Sequence, residues 1–396
     1  MNQKTIESIL NFLTEKPGYK KEGKKRLSYI LFKNNIKASI EETEEALRIF
    51  NSSSSSKESV KKEVKEDNLE IKSAWQLPNG EWRYSLKPKK EDEMDPEDFW
   101  KSFKEEIFEL LSDVSPNIFQ EKNIDSKQKE KGLFIWTADK HVGLELPKDT
   151  LYSDNYDYTT FRNRMFKIIS EIKKEYGDKY YDELVISDLG DPLDGYNKQT
   201  TRGGHALPQN MNNKEQFLTY IKVHKEFYEE LIRLNIAKHF TILNVSNDNH
   251  SGDFGYFAFE VLKTYFNIKY PTVTFKIFDK FIDHYVFGNH CFMLSHGKDS
   301  EDMKANLPYI LNNKTENFIN EYIDRKNLHA YYNHFKKGDL HTYGEQTAKR
   351  FSYTNVPSIV GSSKWTQHNF GYSQPGCLIE EVDKYKNKTT SKLLLL

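Results

Sequence analysis

From Lys131 to Glu381 the chain repeats one pattern, an apolar run that stops at acids, histidines or an asparagine. "GLFIWTADKH" finishes at Asp139 and His141. "ELVISDLGDPLDG" finishes at Asp191, with Asp194 after it. "FTILNVSNDNH" finishes at Asn249 and His250, and "CFMLSHG" at His296. "HFKKGDLHT" carries Asp339 and His341. These runs, separated by helical periodicity, predict an α/β domain. In open α/β sheets the ligand crevice lies beyond the carboxyl ends of the strands, so these five segments can deliver their polar residues to one place.

Carboxylates, an amide oxygen and imidazoles without a thiolate form a hard-to-borderline donor set. It suits Mn, Fe, Zn or Mg better than a structural zinc. There are too many donors for one ion, and two ions bridged by a shared carboxylate would use them all. Taken singly, each segment has an ordinary explanation. An Asp-x-His at a strand end is commonly a cap or turn, His296 after an apolar run can be a satisfied core residue, and Asp194 can cap a helix. The five in series point to a metal site.

In order, D-x-H (Asp139, His141), G-D-x-x-D (Gly190, Asp191, Asp194), N-H (Asn249, His250), H-G (His296, Gly297) and G-D-x-H (Gly338, Asp339, His341) resemble the five signature blocks of calcineurin-like metallophosphoesterases. The resemblance implies a four-layer α/β sandwich of two mixed sheets flanked by helices, and a binuclear centre. Carried over by position, Asp139, His141 and His341 would hold one metal. Asn249 and His296 would hold the second, with Asp339 where it substitutes, and Asp191 would bridge. His250 would serve as proton donor to the leaving group, steadied by Asp194. Two departures stand out: Asp248 where the family has Gly, and Asp339 where it has His. A carboxylate at 339 can still bind a divalent ion, with altered metal preference; loss of one metal position is the alternative. Two ions about 3.5–4 Å apart would supply a nucleophile at neutral pH and neutralise phosphoryl oxygens. The expected cofactors are two divalent ions, Mn²⁺ first, with Fe, Zn or Mg as alternatives.

Ahead of this domain the sequence changes character. Residues 1–50 read as a helical, helix-turn-helix-like module: Ile6, Ile9, Leu10 and Leu13 form a stripe, and Ser39 with Glu42 forms a capping-box pattern. "NSSSSSKESVKKEVKEDN" (51–68) reads as a tether. Residues 69–130 read as a connector, with a hairpin around Asn79–Gly80 and a helix opening at Asp95–Pro96. The domain proper then spans 131–396. Lys20, Lys21, Lys24, Lys25 and Arg26 could contact phosphates, yet the helix in the recognition position carries Glu41, Glu42, Glu44 and Glu45. The module would therefore bind DNA through its second helix, or bind protein instead. This layout looks like phage-encoded metallophosphoesterases.

A net charge of −1 argues against a generally basic nucleic-acid binder, though a local basic patch remains open. Two distant cysteines, Cys291 and Cys377, suggest a reducing compartment, expected to be the cytoplasm of the cell, or of the host if phage-encoded. No apolar stretch approaches the roughly 20 residues of a membrane span. Leu393–Leu396 is too short to span and reads as a packing tail. In the loop after the second block, Arg202 is a candidate phosphate contact. Trp365, Phe370 or Tyr372 could stack bases at the rim, and the histidines outside the blocks read as surface or packing residues. The resulting expectation is a metal-dependent phosphodiester hydrolase acting on nucleic acid. The alternatives are a phosphatase or cyclic-nucleotide phosphodiesterase, and a non-catalytic scaffold with a degenerate metal site.

Overall fold

The computed structural model describes residues 3–15, 27–28, 30–31, 36–52, 69–76, 82–88, 105–109, 111–112, 116–117, 130–146, 155–298, 306–361, 367–368 and 371–396. The chain forms two compact units, residues 1–101 and 102–396.

In the first unit, α1 (Gln3–Glu15) and α2 (Ile40–Ser52) bury one apolar face each. Ile6, Ile9, Phe12 and Leu13 pack with Leu27, Leu31 and Ala46. The start of α2 is closed by a reciprocal cap. The Ser39 amide donates to Glu42 Oε2 at 3.0 Å, and the Glu42 amide donates to Ser39 Oγ at 3.1 Å. Strands β1 (Leu69–Gln76) and β2 (Trp82–Pro88) pair antiparallel from Leu69 opposite Pro88 to Gln76 opposite Trp82. The Asn79–Gly80 turn, the basic cluster 20–26, most of the tether and the Asp95 helix start lie outside the described residues, as do Trp365 and Phe370.

The second unit has four layers. A six-stranded sheet runs β13 (Thr389–Leu395), β12 (Gly376–Asp383), β3 (Lys131–Thr137), β4 (Tyr181–Asp188), β5 (Ala237–Val245), β6 (Thr274–Phe278). Strands β3 to β6 are parallel and β12 and β13 are antiparallel to their neighbours. A five-stranded sheet runs β10 (Gly344–Thr347), β11 (Phe351–Asn355), β9 (Tyr332–Lys337), β8 (His290–Ser295), β7 (Asp283–Phe287), with β11, β9 and β8 mutually parallel. Helices α3 (Tyr158–Tyr176), α4 (Asn213–Arg233) and α5 (Asp253–Lys269) cover the first sheet, and α6 (Asn313–Arg325) covers the second. This is the two-mixed-sheet α/β sandwich expected from the sequence.

Strand periodicity explains the layering. In β3, Leu133 and Ile135 face the helices while Phe134 and Trp136 face the other sheet. In β8, Phe292 and Leu294 enter the inter-sheet core while Cys291 and Met293 pack toward α6. Both faces of these strands are buried, so they read as continuous apolar runs. Ile107 and Leu111, beyond the expected connector helix start, pack on the helix-side core. Leu393–Leu395 belongs to the edge strand β13, where Leu394 is buried, so the terminal leucines complete a sheet.

Candidate metal centre

The five polar segments leave the carboxyl ends of β3, β4 and β5 in one sheet and of β8 and β9 in the other. The first two loops are laced together by backbone. The Asp139 amide donates to Gly190 O at 3.1 Å, and the Lys140 and His141 amides donate to Asp191 O at 3.0 and 2.9 Å. Asp139, His141, Asp191, Asp339 and His341 all have left-handed backbone angles, φ between 42° and 72°. Such conformations cost energy in residues with a Cβ and persist where the surroundings impose them. Gly190 (φ 100°) lets the chain pass under His296, since a Cβ there would lie 2.7 Å from His296 Nδ1.

The imidazoles are aimed by their second nitrogens. His341 Nδ1–H donates to Gly361 O at 3.1 Å, and His296 Nδ1–H donates to Leu189 O at 2.9 Å. A carbonyl can only accept, so in each neutral ring Nε2 carries the lone pair. His141 Nδ1 meets Asp194 Oδ1 at 3.2 Å. What remains on the inner side is a set of donor atoms at close quarters. His141 Nε2 lies 3.2 Å from His341 Nε2 and 3.5 Å from Asp191 Oδ2. His296 Nε2 lies 3.1 Å from Asp191 Oδ2 and 3.2 Å from Asn249 Oδ1. Among the described residues, three overlapping trios have ligand atoms close enough to share an ion: Asp139, His141 and His341; Asp139, Asp191 and His296; His141, Asp191 and His250. Asp139 and Asp191 each belong to two trios.

The donor set fits divalent cations. Burial lowers His141 and His341, which favours neutral rings that can offer Nε2 to a cation. Burial pushes the Asp139 carboxyl up to about 7; His296 opposes this, while Asp191 and Asp339 add to it. Burial opposes ionisation of Asp191 too, yet His296, His250 and His141 hold its carboxyl well below the usual range. Burial by itself lowers His296, but Asp191, Asp139 and Asp339 raise it to about 10, so a proton there does what a metal would do. Dense carboxylates and lone pairs in a dry site are relieved by positive charge, which two divalent ions supply.

Of the residues singled out from the sequence, Asp139, His141, Asp191, Asn249, His296 and His341 come together in this cluster. Asp339 borders the same cavity. Among the described residues its Oδ2 is buried without a hydrogen-bond partner, and Oδ1 lies 3.7 Å from Lys298 Nζ, outside the three trios. His250 Nδ1–H donates to the carbonyl of Asp194 at 2.9 Å, with the Asp194 carboxylate at 3.7 Å. Asp194 thus steadies His250 chiefly through its backbone, while its carboxyl, raised by burial, faces His141. Asp248 has a local job: it accepts from the Ser251 and Gly252 amides at 2.7 and 2.9 Å and so shapes the turn after His250.

Arg202 is placed differently from a free phosphate ligand. Its guanidinium donates to Lys298 O at 2.9 Å and to Asn247 Oδ1 at 3.0 Å, fastening three rim loops together. The cavity over the cluster measures about 770 Å³. One wall is apolar, made by Leu144, Ala206, Leu207 and Pro208, and His205, His368 and Lys298 also border it. Sequence patterns gave no reason to select these residues. His205, Ala206, Leu207 and Pro208 reach it because the 195–209 loop folds back, with the Glu145 amide donating to Pro208 O and the Arg202 amide to Asn249 O, both at 3.0 Å.

No protein-family model matches the sequence, and no curated protein does. Among solved structures, an archaeal phosphodiesterase is similar at 11% identity over 66% of this chain and 99% of that one, with a TM-score of 0.32. Vps29 of Entamoeba histolytica, solved with zinc, is similar at 11% identity over 66% and 98%, TM-score 0.30. Vacuolar protein sorting 29 of Cryptosporidium parvum is similar at 10% identity over 68% and 99%, TM-score 0.29. At such values the chemistry is read from the side chains.

Proposed function

We propose that this chain is a binuclear, metal-dependent phosphodiester hydrolase of the calcineurin-like metallophosphoesterase type, with nucleic acid as substrate and Mn²⁺ as the favoured ion. The observation that carries the reading is the convergence of Asp139, His141, Asp191, Asn249, His296 and His341 beneath one cavity, with His250 beside them. Asp139, His141 and His341 would hold one ion and Asn249 and His296 the other, with Asp191 between and Asp339 a further candidate. Ions held there supply a nucleophile at neutral pH and neutralise the phosphoryl oxygens.

The protein's own groups do the rest. His250, with Nδ1–H engaged by the Asp194 carbonyl, would as the imidazolium pass its Nε2 proton to the departing alkoxide and be left as the neutral Nδ1–H ring. Lys298 adds a cation at the cavity edge, and the apolar wall takes the organic part of an ester. The 770 Å³ cavity also suits a second reading, a phosphatase or cyclic-nucleotide phosphodiesterase, because its size is that of a small-molecule site. A scaffold that has lost catalysis is the reading of another class.

One panel separates them. The purified chain is assayed with Mn²⁺ against bis(p-nitrophenyl) phosphate, p-nitrophenyl phosphate, a cyclic nucleotide, and single- and double-stranded DNA. Chelator-sensitive hydrolysis of the diester and of DNA supports the proposal. Turnover of the monoester or cyclic nucleotide alone supports the second reading. A chain with well under one ion and no turnover is a scaffold.

A further inference from the structure

Between two proposed ligands sits Lys140, a cation 1% exposed and turned into the protein interior. Its Nζ lies 2.9 Å from Asp188 Oδ2, itself 1% exposed, and donates to Thr137 Oγ1 at 2.8 Å. Thr137 Oγ1 in turn donates to Ser187 O at 2.7 Å. Asp188 is the last residue of β4. Its Oδ2 accepts from Tyr220 Oη at 2.6 Å, and its Oδ1 accepts from the Gly190 amide at 3.3 Å. Tyr156 Oη donates to the Lys140 carbonyl. None of these groups borders the cavity, so the ion pair has no part in contacting substrate.

Its connections are specific all the same. Through Lys140 the Asp188 carboxylate holds the Asp139–His141 turn, and through the Gly190 amide it holds the Gly190–Asp191 turn. Both turns carry left-handed residues, which persist where the surroundings impose them: Asp139 at φ 49°, His141 at 42°, Asp191 at 49°. Desolvating two charges is costly, and apolar side chains of similar volume usually give equal or greater stability. The pair therefore contributes more through the geometry it imposes on the two turns than through net stability.

We infer that the Lys140–Asp188 pair is a positioning device for the metal centre, setting the separation of Asp139 and His141 from Asp191 and thereby the affinity for the ions. The inference rests on the proposed metal centre, and the test separates the two. Partners that hold ligands in place commonly change metal affinity ten- to a hundredfold when lost.

The test uses Mn²⁺ alone, measured by titration calorimetry, with thermal melting recorded for the metal-free full-length chain. Lys140→Met with Asp188→Asn removes both charges while an amide still serves Tyr220. This double variant should melt within a few degrees of the parent and bind Mn²⁺ about ten- to a hundredfold more weakly. Asp188→Glu, which keeps the charge but lengthens its reach, should also fold and bind more weakly. If either variant binds Mn²⁺ within twofold of the parent, the inference is overturned. It is also overturned if the double variant melts far below the parent, since the pair then acts through the fold. A parent that binds no Mn²⁺ overturns instead the metal-centre reading on which the inference stands.

Discussion

His141 Nε2 and His341 Nε2 face each other at 3.2 Å although 200 residues separate them in sequence. Each ring is pinned from behind, one by Asp194 and one by the Gly361 carbonyl. A cation held between them would take the Nε2 lone pair of each neutral ring.

Binding of Mn²⁺ should therefore stabilise the fold measurably. At an ion concentration a hundred times Kd the gain is about 2.7 kcal/mol, seen as a rise in Tm. His341→Ala should lose the share of that rise due to the ion it would hold. An equal rise in parent and variant would place the ion elsewhere.

His250→Ala should retain the parental metal content and lose about 10²–10⁴ in kcat if the imidazole, held at Nδ1 by the Asp194 carbonyl, has the proposed proton-transfer role. Metal analysis and steady-state kinetics on the same preparation check both halves. Turnover at the parental rate would remove His250 from the mechanism.

Arg202→Ala should lower Tm as well as activity. Two hydrogen bonds from a charged donor, to Lys298 O and Asn247 Oδ1, are lost together, at about 1.5–3 kcal/mol each where well formed. Arg202→Lys should recover little, since one ammonium lacks the planar fork that reaches both loops. A direct phosphate contact would instead raise KM and leave Tm unchanged.

Stability should fall in acid for two reasons, both located between the sheets. Burial holds His334 at about 3 against 6.5 for a free imidazole. From pH 6.5 down to about 3 the unfolded chain takes up a proton that the folded chain refuses, and stability is lost on the way down. Burial would raise Glu380, but Lys336 Nζ at 2.8 Å holds its carboxyl below the ordinary value of 4.5. Its contribution is present above 4.5 and disappears as pH falls through the lowered value. Urea titrations between pH 7 and 4.5 should show a shallower decline for His334→Gln than for the parent, and equal slopes would contradict the assignment. Lys336→Met, which strands the Glu380 charge, should cost about 3–5 kcal/mol at neutral pH.

The convergence of these polar residues was legible in the sequence because strands bury their bodies and expose their carboxyl ends. Asp139, Asp191, Asn249 and His296 each sit one to four residues past a strand. Lys140 was not legible. A lysine between an acid and a histidine reads as a solvated turn residue, and its burial depends on Asp188 and Tyr220, which are distant in sequence. The same limit applies to Arg202, whose partners lie 45 and 96 residues away. His205 and His368, read as surface or packing residues, reach the cavity only through the fold of their loops. Asp248 looked like a departure from the family's pattern; in the structure it makes the hydrogen bonds of its own turn.

The central claim is that strand ends from two sheets enclose a pair of cations. Crystals grown with Mn²⁺ and measured near the manganese absorption edge test it most directly. Two anomalous peaks about 3.5–4 Å apart, one among Asp139, His141 and His341, the other beside Asn249 and His296, with Asp191 touching both, are the predicted result. A single peak away from Asp191, or none at saturating Mn²⁺, would contradict it.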